Sequence, residues 1–283
     1  MHNVQSPSTE HRLIITGPTR LERRGWCIRE SNAGVHSTPR ESRYTMLSAN
    51  SAESWVEYYA SEHECAKANA RTTNWTMPSL RSLGVLPPAK VASIGCGNGM
   101  DVVALRDFGY EAQGVDMHEV APPARPWCHI GSGLDLPLVD GEFDAVISLE
   151  VIEHVGVDYD GKGSSDRERY AAELMRVVRP GGVIVLATPN RFFPVDEHGS
   201  GLLQVRFHSP FRDSTLTFGE LRQLFPGCEV GNLGYDGYFM LEKLSRLHIP
   251  VSPIHLLLKA FNNRWLHQSA FNPHLFVWFR KAI

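Results

Sequence analysis

Ser93-Ile94-Gly95-Cys96-Gly97-Asn98-Gly99 closes a short apolar run, Val91-Ala92-Ser93-Ile94, and leads straight into a helical pattern from Asp101 to Phe108. A strand that ends in a glycine loop and re-enters the fold as a helix is the ligand-binding corner of an open parallel sheet. Glycines let the backbone turn sharply and approach a ligand where a Cβ would clash. The start of the helix behind them favours polar or negative groups. A dinucleotide fingerprint requires G-x-G-x-x-G, whereas this loop reads G-x-G-x-G with Met100 next. The spacing therefore disfavours NAD. About 20 residues on, Asp116 ends a second strand, Ala112 to Asp116, where a carboxylate accepts hydrogen bonds from both ribose hydroxyls.

Working outward, apolar strands keep alternating with helices. Phe143 to Leu149 is a strand, Arg167 to Val178 an amphipathic helix that stops at Pro180-Gly181-Gly182, and Val183 to Thr188 a nearly pure apolar strand. A helix from about Phe218 to Phe225 and strands at Glu229–Leu233 and Leu275–Arg280 complete the series. This rhythm predicts an α/β fold, a Rossmann-like, doubly wound, mostly parallel seven-stranded sheet with helices on both faces. Ser51 to about Leu83 reads as a preceding helix, with Trp55, Tyr58 and Tyr59 on its apolar stripe. Irregular stretches at about 190–217 and 234–273 break the rhythm and read as a helical or irregular cap.

The chain has 283 residues, 42% hydrophobic and 21% charged, values of a globular protein. One domain from 46 to 283 accounts for the pattern. Residues 1–45 carry arginines among Ser, Thr, Pro and Gly and read as a disordered tail; a translation start at Met46 is the other reading. Glu10, Glu22, Glu30 and Glu41 argue against a transit peptide. A net charge of -3 argues against a nucleic-acid partner held by many phosphates. The five cysteines (Cys27, Cys65, Cys96, Cys128 and Cys228) are scattered without a C-x-x-C pair. They fit reduced thiols in a cytoplasmic protein. No apolar run approaches the roughly 18 residues of a transmembrane helix, so the expectation is a soluble protein.

Four segments carry a more specific resemblance: Val91 to Gly99, Gly114-Val115-Asp116, Gly131 to Val155, and Leu174 to Arg191. The third contains Leu134-Asp135-Leu136-Pro137 and Ser148-Leu149-Glu150-Val151-Ile152-Glu153-His154-Val155. The fourth contains Val178-Arg179-Pro180-Gly181-Gly182 and Thr188-Pro189-Asn190. Over these the chain resembles the class I (Rossmann-like) S-adenosylmethionine-dependent methyltransferases, particularly the ubiquinone-biosynthesis and sugar O-methyltransferase group. The resemblance implies S-adenosyl-L-methionine as cofactor, with Gly95, Cys96 and Gly97 at its methionine end. It implies Asp116 on the ribose, Met117 on the adenine, Ser132, Gly133 and Leu134 at the adenine edge, and Glu150 and Val151 facing the methyl donor. The family usually has an acid where this chain has Ser93, and commonly another where it has Ser132. Each change removes a charge-assisted hydrogen bond of about 1 to 3 kcal/mol unless Asp101 or Asp135 compensates.

Methyl transfer to an alcohol or phenol benefits from a base, by about 10²- to 10⁴-fold. His154, Glu150 and His198 are the candidate catalytic residues. His154 titrates near neutrality when unperturbed, with orientation of a loop as its structural alternative. His198, with Asp196 and Glu197, lies in the segment after the fifth strand and is either an acceptor contact or part of a polar loop. In ubiquinone-type relatives a Glu-x-x-Glu-His segment is associated with a divalent metal; no metal is assigned here. The expected acceptor is a small molecule or saccharide, O-methylated. N- or C-methylation, and a non-catalytic cofactor-binding scaffold, are the alternatives. The apolar residues of the second insertion, Tyr235 to Phe261, suit a cap over the acceptor or peripheral contact with a lipid-linked acceptor.

Overall fold

The computed structural model describes residues 61–156, 163–193, 195–196, 206–207, 215–233, 264–269 and 271–283. The expected tail at 1–45, the aromatic stripe at Trp55–Tyr59, His198 and most of the two insertions lie outside the described residues. The strands are β1 (Lys90–Ile94), β2 (Glu111–Asp116), β3 (Cys128–Ile130), β4 (Phe143–Leu149), β5 (Val178–Pro189), β6 (Glu229–Asn232) and β7 (His274–Arg280). They form one seven-stranded sheet in the order β3-β2-β1-β4-β5-β7-β6. The pairs β1–β2, β1–β4, β2–β3 and β4–β5 are parallel, and β7 runs antiparallel to both neighbours. The chain winds outward from β1 to β3, then returns to β4 on β1's other side. The switch point lies between β1 and β4, beside the glycine loop, which is where open sheets of this kind bind ligands.

The helices are α1 (Glu62–Arg71), α2 (Met77–Ser82), α3 (Met100–Asp107), α4 (Gly163–Val177), α5 (Phe218–Leu224) and α6 (Arg264–His267), with a π-helical turn, Thr72–Thr76, joining α1 to α2. Successive strand residues point to opposite faces, and the two cores follow that alternation. Val91, Ala145, Ile147, Val183, Val185 and Phe276 pack with Trp75 of the π-helical turn, Leu80 of α2, and Val102 and Leu105 of α3. Ala92, Ile94, Val146, Ile184, Leu186, Leu275 and Val277 pack with Tyr170, Leu174 and Leu221 of α4 and α5. Each fully buried Leu, Ile, Val or Phe among them contributes about 1.5 to 3 kcal/mol relative to exposure. The doubly wound arrangement expected from the sequence is therefore present, covered on both faces.

The differences from the sequence reading include one boundary and one strand. The helix expected to stop at Pro180-Gly181-Gly182 ends at Val177, and β5 begins at once with Val178. Phe143 pairs with Val178 but Ala145 with Val183, so the Pro-Gly-Gly segment is a bulge inside the strand. Lys281 holds this junction by donating to the carbonyls of Met175 and Val178. The edge strand β3 was not anticipated: its three residues are half-buried or exposed and carry no apolar alternation.

Candidate functional site

The glycine loop is built by backbone hydrogen bonds that only this backbone shape allows. The amides of Gly95 and Cys96 both donate to the carbonyl of Val115, at 2.8 and 3.2 Å. Gly95 has φ +70, and a Cβ there would stand 2.4 Å from a methyl of Val151. The loop thus presses against the chain that leaves β4, closer than any side chain permits. The amide of Gly97 donates to Oδ2 of Asp116 at 2.7 Å, and the amide of His118 to Oδ1 at 3.0 Å. Asp116 is fixed at the end of β2, with one carboxylate bridging the loop and the turn that follows.

Ser93 sits behind the loop rather than in the pocket. Its hydroxyl donates to Asp101 at 2.5 Å, and the amide of Val102 also donates to Asp101. Both residues are buried. Burial raises the Asp101 carboxyl, while the charge of Arg71 and the Ser93 hydrogen bond pull it back. A buried acid, Asp101 in the first turn of α3, thus stands against Ser93 but does not line the cavity at the switch point. Asp135 is exposed and pairs with Ser132 across a bridge.

A cavity of about 700 Å³ opens at the switch point. Gly95, Cys96, Gly97, Asp116, Met117, Ser132, Gly133, Leu134, Glu150, Val151 and His154 all line it; of the other described residues singled out from the sequence, Ser93, Asp101, Asp135, Glu153 and Asp196 do not. Met117 is 68% exposed, an open apolar surface on the cavity's edge. Under the Gly131–Leu134 loop lies the ring of Tyr170, so close that a Cβ on Gly133 would meet it at 2.5 Å. Its buried hydroxyl pairs with Ser148 at 2.7 Å, and burial raises that phenol far above its ordinary range.

At the cavity's inner end the chain leaves β4 through Glu150 at φ +59, a left-handed conformation unusual for a non-glycine residue. Its amide donates to Ala187 at 2.9 Å. One Glu150 oxygen lies 3.3 Å from Nε2 of His274, a buried residue at the start of β7. Glu153 is fully buried and accepts a hydrogen bond from Thr188 at 3.0 Å. Burial, then the charge of Glu150, push its carboxyl up to about 8. The mostly exposed ring of His154 stands 4.0 Å from Glu153. Among the described residues no group of three or more His, Cys, Asp and Glu side chains is arranged to hold a metal ion.

Among the cavity residues that escaped the sequence reading are His274, Arg71, Glu64 and Lys67. His274 follows Pro273 at the end of an apparently irregular stretch, and only the pairing of β7 with β5 carries it beneath Glu150. Arg71 closes α1, and Glu64, Lys67 and Arg71 line the cavity together. Their i, i+3, i+7 spacing on one helix face was the available signal. The Arg71 Nε is buried without a hydrogen-bond partner among the described residues.

Residues 92–186 match the family described as "Methyltransferase domain". The chain is similar to a "Probable S-adenosylmethionine-dependent methyltransferase" of Mycolicibacterium smegmatis, 30% identical over 148 residues, which is 50% of this chain and 52% of that protein. It is similar to the 2-methyl-6-phytyl-1,4-hydroquinone methyltransferase of a Synechocystis species, 31% identical over 38% of this chain and 35% of that protein. A ubiquinone biosynthesis O-methyltransferase of Thiobacillus denitrificans is 32% identical over 36% of this chain and 45% of that protein. The chain thus spans about half, or less, of the length of these curated relatives.

Proposed function

We propose that this chain, whose residues 92–186 match the methyltransferase domain family, is an S-adenosylmethionine-dependent methyltransferase acting by O-methylation on a small-molecule or saccharide-type acceptor. The domain would occupy residues 46–283, and the cytoplasm is the compartment we assign to it. One observation carries the reading: at the switch point the glycine loop and the carboxylate ending β2 are locked together by the Gly97–Asp116 hydrogen bond on the rim of one large cavity. The relatives named above, one an O-methyltransferase, support it.

The residues present fit the cofactor. Gly95 leaves the space a Cβ would fill, so backbone can lie against the methionine end. Arg71, with a buried and unbonded Nε, and Lys67 supply positive charge where an α-carboxylate needs it. Asp116 holds the ribose hydroxyls, and the apolar edges of Met117 and Leu134 take the adenine, with Ser132 and Gly133 beside it. S-adenosylmethionine supplies an already activated methyl group, so the protein's task is alignment and exclusion of water. Glu150 and Val151 face that group. Glu150, with His154 and His274 near it, receives the acceptor's proton. Asp101, hydrogen-bonded to Ser93 beneath the loop, supports the catalytic reading over a non-catalytic scaffold by keeping an acid beside that position.

Calorimetric titration with S-adenosylmethionine and S-adenosylhomocysteine tests the reading. Dissociation constants in the micromolar range are expected, and no binding of either ligand at millimolar concentration overturns it. A panel of hydroxyl, amine and carbon acceptors with radiolabelled methyl donor then tests the O-methylation assignment. Transfer confined to amines or carbon acceptors would replace it.

A further inference from the structure

Two thiols meet over Gly114, on the face of the sheet that α3 covers. Cys96 lies between Gly95 and Gly97 and lines the cavity, and its amide donates to the carbonyl of Val115. Cys128 opens the edge strand β3, where it pairs with Gly114 of β2. The missing side chain of Gly114 is what lets them approach. A Cβ there would stand 2.7 Å from Sγ of Cys128 and 2.8 Å from Sγ of Cys96, with a methyl of Val102 at 2.9 Å closing the third side. Both sulfurs therefore crowd one point. Of the other described cysteines, Cys65 has its sulfur against the Asn98 side chain, and Cys228 has its own against Met175 in the other core. Cys96 is buried and Cys128 half-buried. The neighbouring Cys128 thiol first, then burial, hold the Cys96 thiol well above its ordinary range. Cys96 is thereby kept as the inert thiol form, and Cys128 is the one of the pair that a solvent-borne oxidant reaches first.

We propose that Cys96 and Cys128 are a redox site: a peroxide joins them in a reversible disulfide, and that bond closes the glycine loop to the cofactor. The Cys128 thiolate attacks hydrogen peroxide, the O–O bond breaks, and Cys128 becomes a sulfenic acid as hydroxide leaves and takes up the thiol's proton as water. The Cys96 sulfur then attacks the sulfenic sulfur, the S–O bond breaks, and a second water leaves with the Cys96 proton. Two electrons pass from the sulfur pair to the peroxide, and each thiol loses one hydrogen. Contact across Gly114 does for Cys96 what a lowered acidity does for other thiols. An S–S bond of about 2.05 Å is shorter than any non-bonded sulfur contact, so Cys96 is drawn toward β3. Gly97 follows it, and the Gly97 amide is the group that holds Asp116. The backbone at the methionine end and the carboxylate at the ribose end are thus displaced together. Disulfides of the cytoplasm are characteristically transient bonds of this sensing kind. The effect on binding rests on the methyltransferase reading; the disulfide itself does not.

The test treats the fully reduced, full-length chain with hydrogen peroxide, blocks remaining thiols with N-ethylmaleimide and digests it. Mass spectrometry then seeks the two peptides joined through Cys96 and Cys128. Calorimetry with S-adenosylhomocysteine follows the same samples before digestion. The joined pair is expected to form, affinity to fall about tenfold or more, as for one misplaced charge-assisted hydrogen bond, and dithiothreitol to reverse both. In Cys128→Ser, peroxide should leave the affinity unchanged. Three results overturn the inference and leave the proposed function standing: no joined pair at millimolar peroxide, a joined pair with unaltered affinity, or a Cys128→Ser protein that loses affinity under peroxide as the wild type does. Failure of the reduced wild type to bind S-adenosylhomocysteine at millimolar concentration overturns both. Should Cys128→Ser not fold, a peroxide titration of the wild type decides. The joined fraction and the loss of binding should rise in step; a loss of binding that precedes the joined pair overturns the inference.

Discussion

Asp116 and Arg71 show what a single side chain does in this cavity, and they divide by whether their roles could be read locally. Asp116 accepts two backbone amides, Gly97 and His118, so its orientation is set before any ligand arrives. On the proposed reading, replacing it with alanine removes the ribose acceptor, and it frees the Gly97 amide in any case. We expect Asp116→Ala to raise the dissociation constant of S-adenosylhomocysteine about ten- to a hundredfold, in line with one or two lost charge-assisted bonds. Calorimetry checks this, and an unchanged constant removes Asp116 from the ribose. Arg71→Met keeps the buried stem and deletes the charge. It should weaken S-adenosylhomocysteine at least tenfold, yet leave adenosine binding unchanged, since adenosine lacks the carboxylate. Equal weakening of both ligands would mean that Arg71 serves the loop and not the ligand. Asp116 was legible because strand, glycine loop and acid have fixed spacing along the chain. Arg71 and His274 were not, because a helix end and a strand start meet the cavity only through tertiary packing.

At the scale of elements, the strands and helices nearest the loop announced themselves, and the exceptions have physical causes. β4 was read at its observed ends, Phe143–Leu149, since an apolar run in which every residue but the half-buried Asp144 is buried leaves one interpretation. β3 escaped because an edge strand of three residues has too little apolar pattern to register. The Pro180-Gly181-Gly182 bulge escaped because glycines that end a helix and glycines that bulge a strand look the same in sequence. α5 shows a local rule holding in full. Thr217 accepts the amide of Glu220, and the Glu220 carboxylate accepts from the amide of Thr217, a reciprocal cap. Arg191, just after β5, donates to the same carboxylate at 2.6 Å. Thr217→Ala should therefore cost about 1 kcal/mol, read as a lower urea midpoint with unchanged slope. A larger loss would show that the cap also holds Arg191 in place, and Arg191→Met would then reproduce it.

Across the whole molecule, the buried acids make stability depend on pH in a direction opposite to the usual salt-bridged case. Glu173 and Glu220 are held below their ordinary range: Glu173 chiefly by its Arg176 hydrogen bond, and Glu220 by its bonds from Thr217 and Arg191 acting against the burial that would raise it. Their contribution is present above the unfolded carboxylate range and fades as pH falls through the folded one. Glu153 works the other way. Its folded carboxyl titrates near 8 against 4.5 for the free side chain, so between those values the folded state binds more protons than the unfolded state. Stability then falls as pH rises through that window, and buried Asp101, also raised, adds to the slope at its acid end. The ligand-free protein should be most stable in mildly acidic solution, near pH 5, and measurably less stable at pH 8. Urea midpoints at pH 5, 6.5 and 8 measure this. Glu153→Gln, which mimics the protonated form and keeps an oxygen for Thr188, should flatten the slope and be the more stable protein at pH 8. A wild type whose midpoint rises from pH 5 to pH 8, or a variant that retains the wild-type slope, would place the Glu153 proton elsewhere.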